Sequence, residues 1–186
     1  MLIAICGHKF SGKSTVARLL HNATGYEVVS FADKLKDITC VLSGCTREDL
    51  EDYDFKELVY VPSYLRPYCG NAEKPTFRAF LQHFGSEVMR GVNDNIWIDC
   101  TLSNASETKG LIISDCRFPN EAKAVKERGG IVIKVVREGC GGDSHCSEVG
   151  VDEIETDYTI FNDTTLENLV ANVDSIVRLL KANNKI

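Results

Sequence analysis

The sequence predicts a three-layer α/β/α sandwich, a five-stranded parallel sheet between two layers of helices. Two observations predict it. Apolar runs of strand length alternate with stretches of helical periodicity along nearly the whole chain, as successive β-α units require. The first of these runs leads into Gly7-His8-Lys9-Phe10-Ser11-Gly12-Lys13-Ser14, which reads G-x-x-x-x-G-K-S, and a helical stretch follows directly. Strand, glycine-bounded loop and helix are together what a phosphate cradle needs, so the fold class is that of a P-loop NTPase.

The chemistry of that loop follows from what a polyphosphate presents, several negative charges and many acceptor oxygens. Successive backbone N–H groups turned inward, with the positive end of the next helix behind them, satisfy both. Gly7 and Gly12 lack a Cβ, which lets the backbone approach the ligand. Lys13 is placed to reach the β- and γ-phosphates, and the Ser14 hydroxyl to ligate Mg²⁺. Lys9, Ser11 and Thr15 complete the candidate nucleotide-binding set.

In order, Leu2 to Cys6 is the first strand. The first helix carries Val16, Leu19, Leu20 and Ala23 on one face. Residues 26–31 read as a second strand and 32–43 as a helix with Leu35, Ile38 and Leu42 on one face. Its polar residues, Asp33, Lys34, Lys36 and Asp37, are solvated, or one lysine at the strand-to-helix junction near a phosphate loop meets an anion. Residues 47–58 are rich in Asp and Glu and read as an exposed helix or loop, and 59–74, with Pro62, Pro67 and Gly70, as an irregular connection. Thr76 is a plausible N-cap. The helix it opens places Phe77, Phe80, Leu81, Phe84 and Val88 on a core stripe. Arg78 and Gln82 are an i, i+4 pair on the next face, continued by Gly85. They are either a solvated face or a forked donor beside an amide, suited to an anionic ligand that carries a base. Asp94 caps a helix bearing Ile96, Trp97 and Cys100.

Residues 110–115 form a buried strand ending in the carboxylate of Asp115, where the second acidic partner of a phosphoryl-transfer site belongs, near Mg²⁺ or the acceptor. Arg117 follows, and Pro119 suits the first turn of the next helix. Residues 131–136 are a strand, and Arg137 opens a glycine-bearing segment, 137–157, of the length of a lid. Residues 158–161 are the fifth strand. The last helix has a long stripe of Leu166, Leu169, Val170, Val173, Ile176, Val177 and Leu180.

Composition bounds the partners. A chain of 186 residues, 44% hydrophobic, suffices for one domain. A net charge of −6 argues against a nucleic-acid polymer or a membrane surface as partner, while a nucleotide needs no more than a local basic pocket. The opening apolar run is too short for a signal-peptide core and has no basic leader, so a cytoplasmic protein is expected. The Asn162-Asp163-Thr164 sequon is then idle. Of the eight cysteines none are spaced C-x-x-C, and reduced thiols are expected. Cys140, His145 and Cys146 are a candidate zinc set, but three ligands, two of them adjacent, suit one metal poorly.

These motifs resemble the bacteriophage deoxynucleoside monophosphate kinases. The resemblance rests on residues 7–14, on Phe31-Ala32-Asp33-Lys34-Leu35-Lys36, and on Thr76-x-Arg78-x-x-Leu81-Gln82-x-Phe84-Gly85. It rests above all on Ser114-Asp115-Cys116-Arg117-Phe118-Pro119-Asn120-Glu121. His145-x-Ser147-Glu148 and Asn162-Asp163-Thr164 complete it, in the same order over almost the whole chain. The resemblance implies an adenylate-kinase-like fold with strand order 2-3-1-4-5 in one domain, 1–186. It also implies a helical acceptor-binding region at 32–107 and a lid-like loop at 137–157. It implies transfer of the γ-phosphate of ATP to a deoxynucleoside monophosphate, in the host cytoplasm if the chain is viral. Lys13 and Ser14 would hold ATP and Mg²⁺, and Asn162, Asp163 and Thr164 would lie near the adenine. Lys36, Arg78, Gln82 and Arg117 would hold the acceptor, Asp115 would orient acceptor or metal, and Arg137 would be the lid cation. Arg137 and His145 are the only basic side chains from 137 to 157, fewer than such lids usually supply. Lys9, Arg18, Arg66 or a second subunit of a homodimer are the other sources of charge.

Three rivals remain at this level. One is another small-molecule P-loop kinase, acting on a nucleoside, dephospho-CoA or phosphomevalonate. A second is a non-catalytic nucleotide sensor. The third is a GTP switch, which the absence of D-x-x-G and the position of the sole Asn-Lys pair at Asn184-Lys185 disfavour.

Overall fold

β1 (Leu2–Cys6) is buried at every position, as befits a strand with a neighbour on each edge and helices on each face. The computed structural model describes residues 1–103, 105, 109–140 and 150–186. β2 (Glu27–Val29), β3 (Leu111–Cys116), β4 (Ile131–Val136) and β5 (Tyr158–Phe161) join β1 in one sheet of order β2-β3-β1-β4-β5, every pair parallel. This is the fold class and strand order expected. Parallel neighbours need crossover connections, and the helices between the strands supply them.

The chain divides into two compact units, Met1–Phe31 with Thr101–Ile186, and Ala32–Cys100. In the first, α1 (Lys13–Thr24) and the last helix, α9 (Leu166–Ala182), cover the sheet face that carries Ile3, Ile5, Ile112, Ile131 and Ile133. Val16, Ala17 and Leu20 from α1 and Leu169, Val173, Ile176, Val177 and Leu180 from α9 complete that core. Leu166 departs from the expected stripe and is 57% exposed, because it is the first residue of α9, directly after its cap Thr165. α8 (Pro119–Glu127) packs against β1 and β4, with Val125 beside Leu2 at Gly130.

The second unit is helical. α2 (Asp33–Ser43) starts within one residue of its expected position. The acidic stretch takes the helical alternative, but it is not wholly exposed. It forms α3 (Arg47–Glu51) and α4 (Tyr53–Leu58), capped by Thr46 and Asp52, and Leu50 on α3 is fully buried. Each cap oxygen accepts an otherwise orphaned amide, which is how two such short helices hold. The irregular connection holds a 3₁₀ turn at Ser63–Cys69 that sends Leu65 and Cys69 into the core with Val61, Phe77 and Phe80.

The helix capped by Thr76 does not run on as expected. α5 (Phe77–His83) widens into a π-helical stretch at Phe84–Met89 before α6 (Arg90–Val92) and α7 (Ile96–Leu102). The wider turn shifts the face, so Phe77 and Phe80 are buried while Val88 is only partly so. Gly85, expected beside Arg78 and Gln82, is buried, and a Cβ there would meet Leu35. The Trp97 indole N–H donates to the Gly85 carbonyl at 2.9 Å, occupying an acceptor in that stretch.

Leu20 is fully buried under the sheet and α9. Leu20→Ala should therefore cost about 3 kcal/mol of stability, read as a lower urea midpoint by circular dichroism. Leu166→Ala, at the exposed start of α9, should shift the midpoint little.

Candidate active site

The register of β1 assembles the site. Cys6 pairs with Cys116 on one side and with Lys134 on the other, so β1 and β3 end level and β4 ends two residues further on, at the same edge. Val136 in turn pairs with Phe161. The residues that follow each strand, Gly7 onward, Arg117, Arg137 and Asn162, therefore leave the sheet at one edge. In open parallel sheets this C-terminal edge, where the chain switches from one side of the first strand to the other, is where ligands bind.

The glycine loop has the backbone its sequence requires. Gly7 at φ 145° and Gly12 at φ 102° lie in a region side chains avoid. A Cβ on Gly7 would run into the Val135 carbonyl, and one on Gly12 into the Asn162 amide. Lys13 donates to the carbonyls of Gly7 at 2.8 Å and His8 at 2.6 Å, so its ammonium curls over the loop. The Asn162 amide donates to the Ser11 carbonyl at 2.9 Å, tying the turn after β5 to the loop. Asp163 accepts the Glu138 amide at 2.6 Å, and Thr164 accepts a bond from Asn168 at 3.2 Å within the last helix's first turn. Ser11 is 1% exposed, and its hydroxyl has no hydrogen-bond partner among the described residues. Ser14 is exposed at the start of α1 and Thr15 half-buried, with Lys9 over the Phe10 ring at 5.3 Å.

Phe10 was not singled out by sequence. It sits at the loop with φ 67° and is 64% exposed. A bulky residue in the left-handed region costs about 1–2 kcal/mol, strain of the kind that collects at functional loops. No sequence signal marks it.

Asp115 holds the neighbouring strand end. Ser30 donates to it at 2.5 Å and the Phe31 amide at 2.7 Å. These bonds pull Ser30 and Phe31 off the ladder, which is why β2 stops at Val29 rather than reaching residue 31. Arg117 is half-buried just past β3, and Arg137 is exposed just past β4. Under the loop, Asp152 accepts from Lys134 at 3.0 Å and lies 3.2 Å from His8. The Lys134 hydrogen bond, helped by the His8 charge, holds its carboxyl below the usual carboxylate range. Burial pushes the Cys6 thiol up to about 11.

Lys36, Arg78 and Gln82 belong to the second unit. Lys36 donates to Glu51 at 2.6 Å and Arg78 to Glu57 at 3.1 Å. Lys56, missed by sequence inside an acidic run, joins them. Burial first, then the Arg78 and Lys36 charges, hold its ammonium below its ordinary value. The clue available was a lone lysine among carboxylates.

The residues present fit a nucleotide with a divalent cation. The loop is a cradle that a Cβ would fill, a buried hydroxyl lies within it, and Ser14 and Asp115 are hard oxygen donors of the kind Mg²⁺ takes. Among the described residues no cluster of three or more His, Cys, Asp or Glu is arranged to hold a metal. For the zinc set, Cys140 is described, while His145 and Cys146 lie outside the described residues, as do Ser147 and Glu148 and the rest of 141–149 in the expected lid.

The model of the deoxynucleotide monophosphate kinase family matches residues 43–173. The chain belongs to that family. A protein of Acanthamoeba polyphaga mimivirus that carries the same family name is 32% identical over 95% of this chain and 96% of its own length. The deoxynucleotide monophosphate kinase of Escherichia phage RB69 is 29% identical over 55% of this chain and 45% of its own. Shikimate kinase from Aquifex aeolicus shares the fold, with a TM-score of 0.52 at 13% identity over 99% of this chain and 98% of its own. The chain is thus a kinase with a nucleotide substrate. No helix among the described residues is long and apolar enough to cross a membrane.

Three outcomes test this geometry. Gly7→Ala should abolish binding of a fluorescent ATP analogue, and Gly12→Ala should weaken it less, since the Val135 carbonyl cannot move aside whereas the Asn162 side chain can. Thiol labelling at pH 8 should mark exposed Cys100 quickly and leave Cys6 unmodified. A thiol raised from 9.0 to about 11 on folding stabilises the fold below pH 9, and that contribution should fade as pH rises through 11.

Proposed function

We propose that the chain moves the γ-phosphoryl group of ATP, taken up with Mg²⁺, to a deoxynucleoside monophosphate, giving the diphosphate and ADP. The observation that carries the reading is the arrival at one sheet edge of a lysine-bearing glycine loop, Asp115 and Arg117, set by the pairing of Cys6 with Cys116. On this reading Lys13 turns from the Gly7 and His8 carbonyls to phosphate oxygens, and loop amides cradle the rest. Ser14 and Asp115 would hold Mg²⁺, which supplies positive charge to the phosphates. Asn162, Asp163 and Thr164 would lie against the adenine. Arg117, with Lys36, Arg78 and Gln82, would hold the acceptor's phosphate and base, and Arg137 would be a lid cation.

Such a transfer asks little covalent chemistry of the protein. Attacking oxygen, phosphorus and leaving oxygen must lie roughly in line, and the spreading charge must be neutralised. A monophosphate is already a nucleophile near pH 7, so Asp115 is given a positioning role, not that of a base. The proposed compartment is the cytoplasm of a virus-infected cell, in keeping with the viral relatives.

A coupled assay of ADP release across dTMP, dGMP, dCMP, dAMP and their ribose forms should show turnover with at least one deoxynucleotide. It should show none with nucleosides, dephospho-CoA or phosphomevalonate. ATP binding without ADP release on any monophosphate would instead indicate a sensor. Arg117→Ala should lower kcat about 100-fold with ATP affinity nearly unchanged. Equal losses in both would remove Arg117 from the acceptor side.

A further inference from the structure

We infer that Glu121 is a positioning residue for Arg117, a role that rests on the reading of Arg117 just given. Glu121 is 3% exposed, and its Oε2 accepts two successive amides, Arg117 N–H at 2.8 Å and Phe118 N–H at 3.1 Å. A buried carboxylate is costly unless hydrogen bonds compensate it, and here backbone donors do so.

The run Arg117-Phe118-Pro119-Asn120-Glu121 can be read residue by residue. Pro119 opens α8, where a missing N–H costs nothing. Phe118, preceding a proline, is extended at φ −121°, ψ 146°. Its side chain has no oxygen to cap the helix. Glu121, at the third helical position, reaches back to the Phe118 amide as the second half of a capping box does. It then reaches one residue further, to the amide of Arg117. That extra bond does nothing for the helix, since Arg117 lies outside it. What it fixes is the backbone of the residue after β3.

Arg117 is thereby gripped on several sides. The ladder ends at Cys116, paired with Cys6, immediately before it. Glu121 holds its N–H, and Gly150 lies so near that a Cβ there would come within 3.0 Å of the Arg117 carbonyl. A long side chain rooted on a fixed Cα loses less freedom on engaging a ligand, and its guanidinium returns to one place. A residue serving as a cap alone would contribute stability without affecting kinetics.

The experiment compares E121A, E121Q, R117A and the E121A/R117A double variant by steady-state kinetics with ATP and a deoxynucleoside monophosphate. Hydrogen exchange at the Arg117 amide is followed alongside. E121A is expected to speed that exchange and to lower kcat about tenfold or more, with KM for ATP held within about twofold. E121Q retains a side-chain oxygen acceptor and should recover most of the turnover. The double variant should be no slower than R117A, because the two residues act as a unit. Full turnover in E121A, or losses that multiply in the double variant, would overturn the positioning role. Full turnover in R117A would withdraw the reading of Arg117 itself, and the positioning role with it. Should E121A not fold, E121D answers the same question. Its shorter arm draws the acceptor away, and unchanged kcat with faster amide exchange would overturn the proposal.

Discussion

The parallel pairing of β1 with β3 on one edge and β4 on the other is what the candidate active site depends on. Parallel strands end on the same side, so each crossover delivers its next loop to one edge of the sheet. The glycine loop follows β1, Asp115 and Arg117 end β3, Arg137 follows β4 and Asn162 follows β5. A single register, Cys6 opposite Cys116 and Lys134, brings together groups more than a hundred residues apart. Burial of Ile3 and Ile5 on one face secures it, because a slip by one residue would turn both away from α1 and α9.

Three of the described cations with assigned roles are already engaged. Lys13 is held by loop carbonyls, Lys36 by Glu51 and Arg78 by Glu57. Lys134 and His8 share Asp152. On the proposed reading an anionic ligand must therefore offer more than these acceptors do, and a multiply charged phosphate offers more than a carbonyl or one carboxylate. The chain is acidic overall, with a net charge of −6, so attraction for a nucleotide is local, not a property of the whole surface.

Fold alone does not choose the acceptor. Shikimate kinase from Aquifex aeolicus shares the fold at 13% identity, a likeness of architecture and no more. Family membership comes from sequence over most of the chain. In the proposed function the acceptor is chosen by Arg117, Lys36, Arg78 and Gln82, not by the fold.

What the sequence determined by itself was whatever depends on neighbours along the chain. The glycine loop, the alternating elements and the stripe of α9 are local patterns, and strand, loop and helix follow from them. The strand order was legible through resemblance, not through periodicity. Tertiary structure decided what depends on distant partners. Asp115 takes Ser30 and Phe31 from β2 and ends that strand early. The π-helical stretch shifts the Phe77 stripe and buries Gly85. Leu50 is buried within an acidic run because the core needs one side chain from α3 while its charged neighbours stay in water. Glu121 reads in sequence as an ordinary first-turn acid. Its reach to the Phe118 amide is local, three residues back, but what it holds at Arg117 gains a place in the site only because Cys116 just before it pairs with distant Cys6.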